Sequence, residues 1–412
     1  MKHFISSSCA RAFIVLMFFA GTTSTGRAET STTLKWHGYL SQGLIHTSDN
    51  NFYGDSEDVS WEFTDIAIGA NWRPMSRLQL SAQALYRQAG ATSRDDVYLD
   101  YALIDYTLSQ SMSHQVGLRG GRIKNPYGLF NDTRDIANSR PSILLPESIY
   151  RDPIRDIFHT SDSASVYGHV YFGDHLLQWD LLHGEPILTD AVEDSFIIDP
   201  LSGSLRNQDI AIGRVLLESF GGSLRLAYTY TDIHIDYQPA PGSQQIEIAP
   251  SVFVTVPTNG YPGETHINVN LWSLEYNTAD WQFNAEYQEL DYVTKGITAA
   301  SDKVTLPTQG YYVSAHYRFD EQWRAFVRYD VYHGDKNDKD GKYYEQQTGL
   351  PDHNRYAYDT TIGARYAIDK HWLLSLEYHR IKGTGWLSSR ENDLSQAKEK
   401  WNLFSAQISY KF

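Results

Sequence analysis

The sequence predicts an all-β chain closed into a 16-stranded antiparallel transmembrane barrel, with long loops on one rim and short turns on the other. Three observations predict it: an export leader, side chains that alternate with a period of two along sixteen segments, and connections that alternate between short and long.

Composition removes other classes first. The chain has 412 residues and a formal net charge of −15. An acidic balance argues against a nucleic-acid partner, because binding the phosphate backbone needs a basic face. Cys9 is the only cysteine and lies in the leader, so neither a disulfide framework nor a Cys-ligated zinc site is expected. After the leader no apolar run approaches the roughly 18 residues of a membrane helix.

Residues 1–28 read as a secretory signal peptide. Lys2 and Arg11 supply positive charge, Ala12 to Ala20 form the apolar core, and Gly26-Arg27-Ala28 places small residues where a signal peptidase reads them. Cleavage is expected between Ala28 and Glu29. The remaining 29–412 carries 32 basic against 50 acidic residues, a net −18.

The strands follow from alternation. Phe404, Ala406, Ile408, Tyr410 and Phe412 fall on one face, with Leu403, Ser405, Gln407, Ser409 and Lys411 on the other. The same dyad runs through Leu78–Arg87, Leu224–Thr231, Trp281–Tyr287, Tyr311–Phe319, Trp323–Val331 and Trp372–His379. In order, the segments cover roughly 33–46, 59–73, 77–90, 94–109, 114–124, 162–173, 174–185, 206–219, 221–236, 264–278, 279–294, 308–320, 321–334, 354–368, 369–383 and 399–412. Most run about 11 to 16 residues, long enough to cross a bilayer at a tilt. The outward sets carry almost no charge; Arg380 is the exception, near a loop end.

Connections after even-numbered segments are tight: Pro74-Met75-Ser76, Gly173-Asp174, Thr278-Ala279-Asp280 and Asp369-Lys370 are examples. Those after odd-numbered segments are long (47–58, 125–161, 186–205, 237–263, 295–307, 335–353 and 384–398), apart from a short 91–93 link. A soluble sandwich has no reason to sort its loops by rim. Trp72, Trp281, Trp323 and Trp372 lie close to tight turns, as expected for an aromatic girdle at one membrane interface.

At the C-terminus, Phe404-x-Ala406-x-Ile408-x-Tyr410-x-Phe412 resembles the terminal signal of outer-membrane barrels. That resemblance implies recognition by the barrel-assembly machinery. Sixteen strands over the whole mature chain resemble the Gram-negative porins. The resemblance implies a bacterial outer-membrane location, passive diffusion of small hydrophilic solutes and ions, contact with lipid and lipopolysaccharide, and a homotrimer. Gly121-Arg122-Ile123-Lys124-Asn125-Pro126-Tyr127-Gly128-Leu129 is similar to a G-x-x-K-x-P-x-G-L stretch of the phosphate-selective porin O and P family, over nine residues. The chain is acidic and has no lysine-rich loop, so phosphate selectivity does not carry over with it.

In porins the third extracellular loop, counting short ones, folds into the barrel and narrows it. Here 125–161 holds that place and is the longest connection, a length that compact folds keep for function. Its candidate selectivity residues are Arg134, Arg140, Arg151 and Arg155 with Asp132, Asp135, Asp152 and Asp156; Glu147 joins them, and its prolines stiffen it. On the wall, register turns Arg318, Arg324, Arg328 and Arg365 inward as one basic patch, with Glu286, Asp330, Asp359 and Glu377 as candidate partners. Such a patch concentrates anions where the lumen is narrow; the other reading is a wall stiffened by ion pairs.

No catalytic residue, cofactor or metal is expected. The 335–341 stretch fails the calcium-loop register, and the histidines show no metal-ligand spacing. The rival readings are an anion- or substrate-specific channel, a lipase or protease on a barrel, and a plugged structural or adhesin barrel. Ser375 and His379 share a strand but face inward, away from lipid.

Overall fold

The computed structural model describes residues 33–197, 201–249, 252–257, 259–297 and 303–412. The signal peptide expected over 1–28 lies outside them.

Among the described residues sixteen strands close a barrel: β1 (Thr33–Thr47), β2 (Ser60–Met75), β3 (Leu78–Ala89), β4 (Val97–Gln110), β5 (His114–Lys124), β6 (Thr160–Phe172), β7 (His175–Pro186), β8 (Gly203–Ser219), β9 (Leu224–Pro239), β12 (Gly263–Asn277), β13 (Trp281–Lys295), β14 (Lys303–Arg318), β15 (Trp323–His333), β16 (Tyr356–Ala367), β17 (Trp372–Gly383) and β18 (Lys400–Lys411). Each pairs antiparallel with its neighbours, and β18 returns to β1 through a register running from Tyr39↔Lys411 to Thr47↔Leu403. Closure removes the free edges that lipid could not satisfy. Short helices α1 (Arg155–His159), α2 (Asp190–Phe196) and α3 (Lys342–Thr348) lie in the long loops.

One hairpin departs from expectation. β10 (Ser243–Ala249) and β11 (Val252–Pro257) pair as a separate two-stranded sheet inside the connection read as loop 237–263. Its second arm is the run Val252-Phe253-Val254-Thr255-Val256, rich in β-branched residues that suit a pleated surface. β14 also starts at Lys303, five residues before the expected boundary.

The tight turns follow local chemistry. Phe172 pairs with His175, leaving Gly173-Asp174 as a two-residue hairpin loop, and Gly173 sits at φ 59°. Hairpins this short twist correctly only with positive φ, which glycine adopts freely.

The outward faces form an apolar belt. Trp281, Trp323 and Trp372 are exposed beside the turns, and six residues along the same strands come Tyr287, Tyr329 and Tyr378. Six residues span about 20 Å of strand. Tyr228, Trp272, Tyr287 and Tyr311 are lateral neighbours across β9, β12, β13 and β14, and they mark the far limit of the belt. Beyond them β9, β12 and β13 continue with outward polar groups: Asp232, His234, Asn268, Asn270 and Glu289. The expectation of nearly charge-free outward faces therefore holds within the belt and fails above it.

The inward faces are not uniformly wet. Ile210, Ile212, Ile233, Ile235, Ile267, Val269, Leu271 and Leu290 point inward and are buried. They pack against Tyr127, Phe130, Ile149, Tyr150, Ile154, Ile157 and Phe158 of the β5–β6 connection. Each such side chain contributes roughly 1.5–3 kcal/mol when fully buried. This apolar lining is why the connection lies inside the barrel.

Candidate functional site

The β5–β6 connection, 125–159, is tied at its base. Asn131 Nδ2 donates to the carbonyls of Asn125 (2.8 Å) and Phe158 (3.1 Å), and Ser161 Oγ donates to Asn125 Oδ1 (2.6 Å). The two ends are thus held together and the intervening chain turns inward.

Its contacts run round the interior. Tyr127 Oη donates to Gln288 (2.8 Å) and Tyr150 Oη to Glu286 (2.7 Å), both on β13. The Leu144 amide donates to Glu377 on β17 (3.2 Å), and Arg328 Nη1 on β15 donates to the Leu144 carbonyl (2.8 Å). Arg365 Nη2 on β16 donates to the Ala137 carbonyl (2.8 Å). On the opposite wall, Arg87 of β3 meets Asp152 at 2.8 Å. The segment therefore bridges the lumen from β3 to β17.

The loop charges expected from sequence are mostly paired. Asp132 lies 2.9 Å from Arg214 on β8. Arg134 donates to the Tyr150 carbonyl (3.0 Å) and lies 3.5 Å from Asp152. Asp135 meets Lys124, Arg155 and His159. Asp156 pairs with Arg94 (3.3 Å) and Arg155 (3.2 Å). Arg151 donates to Tyr332 Oη (3.0 Å) and Arg140 to Gln407 (3.3 Å). Burial opposes ionisation of Asp152, yet Arg87, Arg134 and Arg155 hold its pKa down to about 2. Glu147, buried and facing the Asp152 charge, is pushed up to about 8.

The wall arginines do not form the single patch expected. Arg318, Arg324 and Arg365 are lateral neighbours near the turn rim, and the first two are exposed. Arg328 is buried beneath the loop, bound to Ser142, Leu144 and Thr361 and 3.7 Å from Asp359. Ranking charges by register alone ignores the loop, which covers Arg328 and leaves Arg324 open. Of the expected acidic partners, Glu286 accepts instead from Tyr150, Tyr312 and Ser273.

On the turn side a cavity of about 680 Å³ lies against the β3–β8 wall. Arg119 lies 3.0 Å from Asp105, and Arg214 bridges Asp180 (3.2 Å) and Asp132, so charges alternate along this wall. Arg119 also stacks 3.7 Å over the Tyr167 ring. Sequence reasoning passed over Arg87, Arg119 and Arg214. Their inward phase was available for Arg87 but obscured near Arg119 by Gly117, Gly120 and Gly121.

Asp100, Asp135 and His159 converge closely enough to hold a metal ion. Lys124 Nζ lies 3.0 Å from Asp100 and also bonds Asp135, so an ammonium already supplies the cation there. At the C-terminus Phe404, Ile408 and Phe412 face outward, and Tyr410 packs 4.8 Å from Trp372 at the turn-side girdle.

No family model and no curated protein sequence matches the chain. Solved structures do. The outer membrane channel DcaP of Acinetobacter baumannii aligns with a TM-score of 0.58 at 10% identity, over 95% of this chain and 100% of that one. An anion-selective porin from Comamonas acidovorans aligns at 0.57 and 11%, over 92% and 100%. The trimer form of OmpT from Vibrio cholerae aligns at 0.53 and 10%, over 92% and 99%. The fold is that of the 16-stranded outer-membrane porins.

Proposed function

We propose that the protein is a bacterial outer-membrane channel for passive diffusion of small hydrophilic solutes and ions, with no covalent chemistry. The observation that carries this reading is the 125–159 segment tied to both walls, by Arg87–Asp152 on one side and Arg328–Leu144 on the other, beside a charged turn-side cavity. The segment narrows the lumen, and the groups bordering it select by size and charge. Their field reaches only about 8 Å at physiological salt, so selection acts where the lumen is narrow. The trimeric solved relative supports a homotrimer, and the outward aromatic belt supports contact with lipid and lipopolysaccharide. The outward β18 residues serve recognition by the barrel-assembly machinery.

Planar-bilayer recording with purified protein tests the proposal. Discrete, ohmic conductance steps are expected. No conductance, together with no swelling of protein-loaded liposomes in small sugars, would establish a plugged barrel instead. A second reading, an anion-preferring channel, is favoured by Arg318, Arg324 and Arg365, which have no carboxylate partner among the described residues; a reversal potential in a salt gradient separates the two.

A further inference from the structure

The lumen's guanidinium groups fall into two populations. On the β5–β8 wall, Arg119 and Arg214 are each matched by aspartates. Near the turn end of the β14–β18 wall they are not. Arg318, Arg324 and Arg365, and Arg140 from the loop, have no carboxylate within 4 Å among the described residues.

Register gathers them. Arg318 pairs with Arg324, Arg324 with Arg365, Arg365 with Ser375, and Ser375 with Gln407, so five strands present inward groups along one lateral row. Arg140 is seated on this row. Its Nη2 donates to Gln407 Oε1 at 3.3 Å, and its carbonyl accepts from Arg365. Arg140 and Gln407 are both more than nine-tenths buried.

The hydrogen bonds do not balance. Among the described residues, Arg140 Nε, Arg365 Nε and Gln407 Nε2 are buried donors with no acceptor. Buried donors left unmatched are costly, and positive groups crowded at low dielectric repel. Glu377 is the nearest acidic neighbour, but its oxygens already accept from the Ile143 and Leu144 amides and bond His379. A water brings acceptor capacity without charge and adds donors of its own. An oxyanion brings several acceptor oxygens and negative charge, which answers both deficits, and guanidinium forks suit its geometry.

We infer that Arg140, Arg365 and Gln407, with the exposed Arg324 at the entrance, bind a small oxyanion: phosphate, sulfate or the carboxylate of a passing solute. The inference deepens the channel reading and relies on it only for the route by which the anion arrives. Binding itself does not need conduction.

The test is calorimetric titration of the folded, detergent-solubilised chain with inorganic phosphate, sodium sulfate and sodium acetate in separate runs. Saturable binding of at least one is expected. Among the described residues Arg324 makes no hydrogen bond that its loss would break, so Arg324→Gln keeps the fold and weakens binding about tenfold, as one charge-assisted contact implies. Arg140→Gln weakens it further, while Arg380→Gln, outside the lumen, leaves it unchanged. Phosphate or sulfate binding without acetate assigns a tetrahedral oxyanion; binding of all three assigns a carboxylate-tolerant site. Saturation by none, or equal affinity in wild type and Arg324→Gln, overturns the inference. Binding without bilayer conductance would uphold the site and sink the channel; conductance without binding would do the reverse.

Discussion

Arg87 and Asp152 form a buried fork across the lumen: Arg87 Nη2 lies 2.9 and 2.8 Å from the two Asp152 oxygens, while Nη1 reaches Asp65 on β2 at 3.0 Å. One guanidinium therefore pairs with two buried carboxylates, with Arg134 3.5 Å from Asp152 supplying further positive charge, and fastens the loop to the wall opposite Arg328. Breaking a buried pair from one side costs about 3–5 kcal/mol, because the remaining charge stays buried and alone. Arg87→Gln is expected to free the loop from β2–β3 while the barrel stays closed. Single-channel conductance should rise, and the 125–159 segment should become cleavable by added protease. Unchanged conductance with an uncut loop would show that the fork carries no mechanical weight.

Glu147 gives the loop a pH dependence. Its carboxyl is pushed up to about 8 in the folded protein, against about 4.3 in an unfolded chain. Between those values the folded state holds the proton and the unfolded state does not, so stability falls as pH rises. The contribution is complete below about pH 4.3 and lost as pH passes 8. The Asp152 amide donates to Glu147 at 3.1 Å, so the strain of ionisation is delivered next to the Arg87 fork. Loop proteolysis should accelerate from about pH 5 to about pH 8 and level off above it. Glu147→Gln should flatten that rise, and a variant with the wild-type profile would assign the dependence to another group.

The strands were legible because one rule, period two, acts on every residue of a barrel wall. Trp281, Tyr287 and Glu286 were each placed on the correct face from sequence. What Glu286 touches was not legible, since Tyr150 and Tyr312 reach it from positions 136 and 26 residues away in the chain. The row Arg318–Arg324–Arg365 followed from register, but the burial of Arg328 depends on where Leu144 comes to rest. The inward isoleucines of β8 and β9 were a readable sign that the lumen is partly packed, and the β10–β11 hairpin was hidden by the polar residues around it. Alternation reports which face a residue occupies and carries no information on what fills the space in front of that face.

The outward belt makes its own prediction. Val327 and Leu376 are exposed at 48% and 43%, on β15 and β17, between the turn-side tryptophans and the far tyrosines. A continuous belt of apolar groups open at mid-strand fits hydrocarbon rather than water. Cysteines introduced at these sites should be labelled by lipid-soluble reagents and resist water-soluble ones. Leu376→Arg should cost about 2–4 kcal/mol, read as a lowered denaturant midpoint in lipid vesicles. The inward neighbour Glu377 is a poor site for the same change, because it holds the Leu144 amide.

Barrel closure depends on a glycine opposite the last residue. Gly38 on β1 and Phe412 exchange backbone hydrogen bonds at 3.4 and 3.1 Å. A Cβ placed on Gly38 would lie 2.6 Å from the Phe412 ring and 2.7 Å from the Ala67 carbonyl oxygen. The ring can swing outward, but the carbonyl belongs to the β1–β2 ladder and cannot yield without disturbing it. Gly38→Val should therefore cost roughly 1–3 kcal/mol, the usual range for overpacking, and the cost should fall on the β1–β18 seam. Removing the ring as well, in Gly38→Val with Phe412→Ala, should relieve only the part due to Phe412. Folding into vesicles, followed by the gel shift between closed and heat-unfolded barrels, separates the terms. If the double variant closes as fully as wild type, the aromatic clash is the whole effect and the Ala67 contact is immaterial.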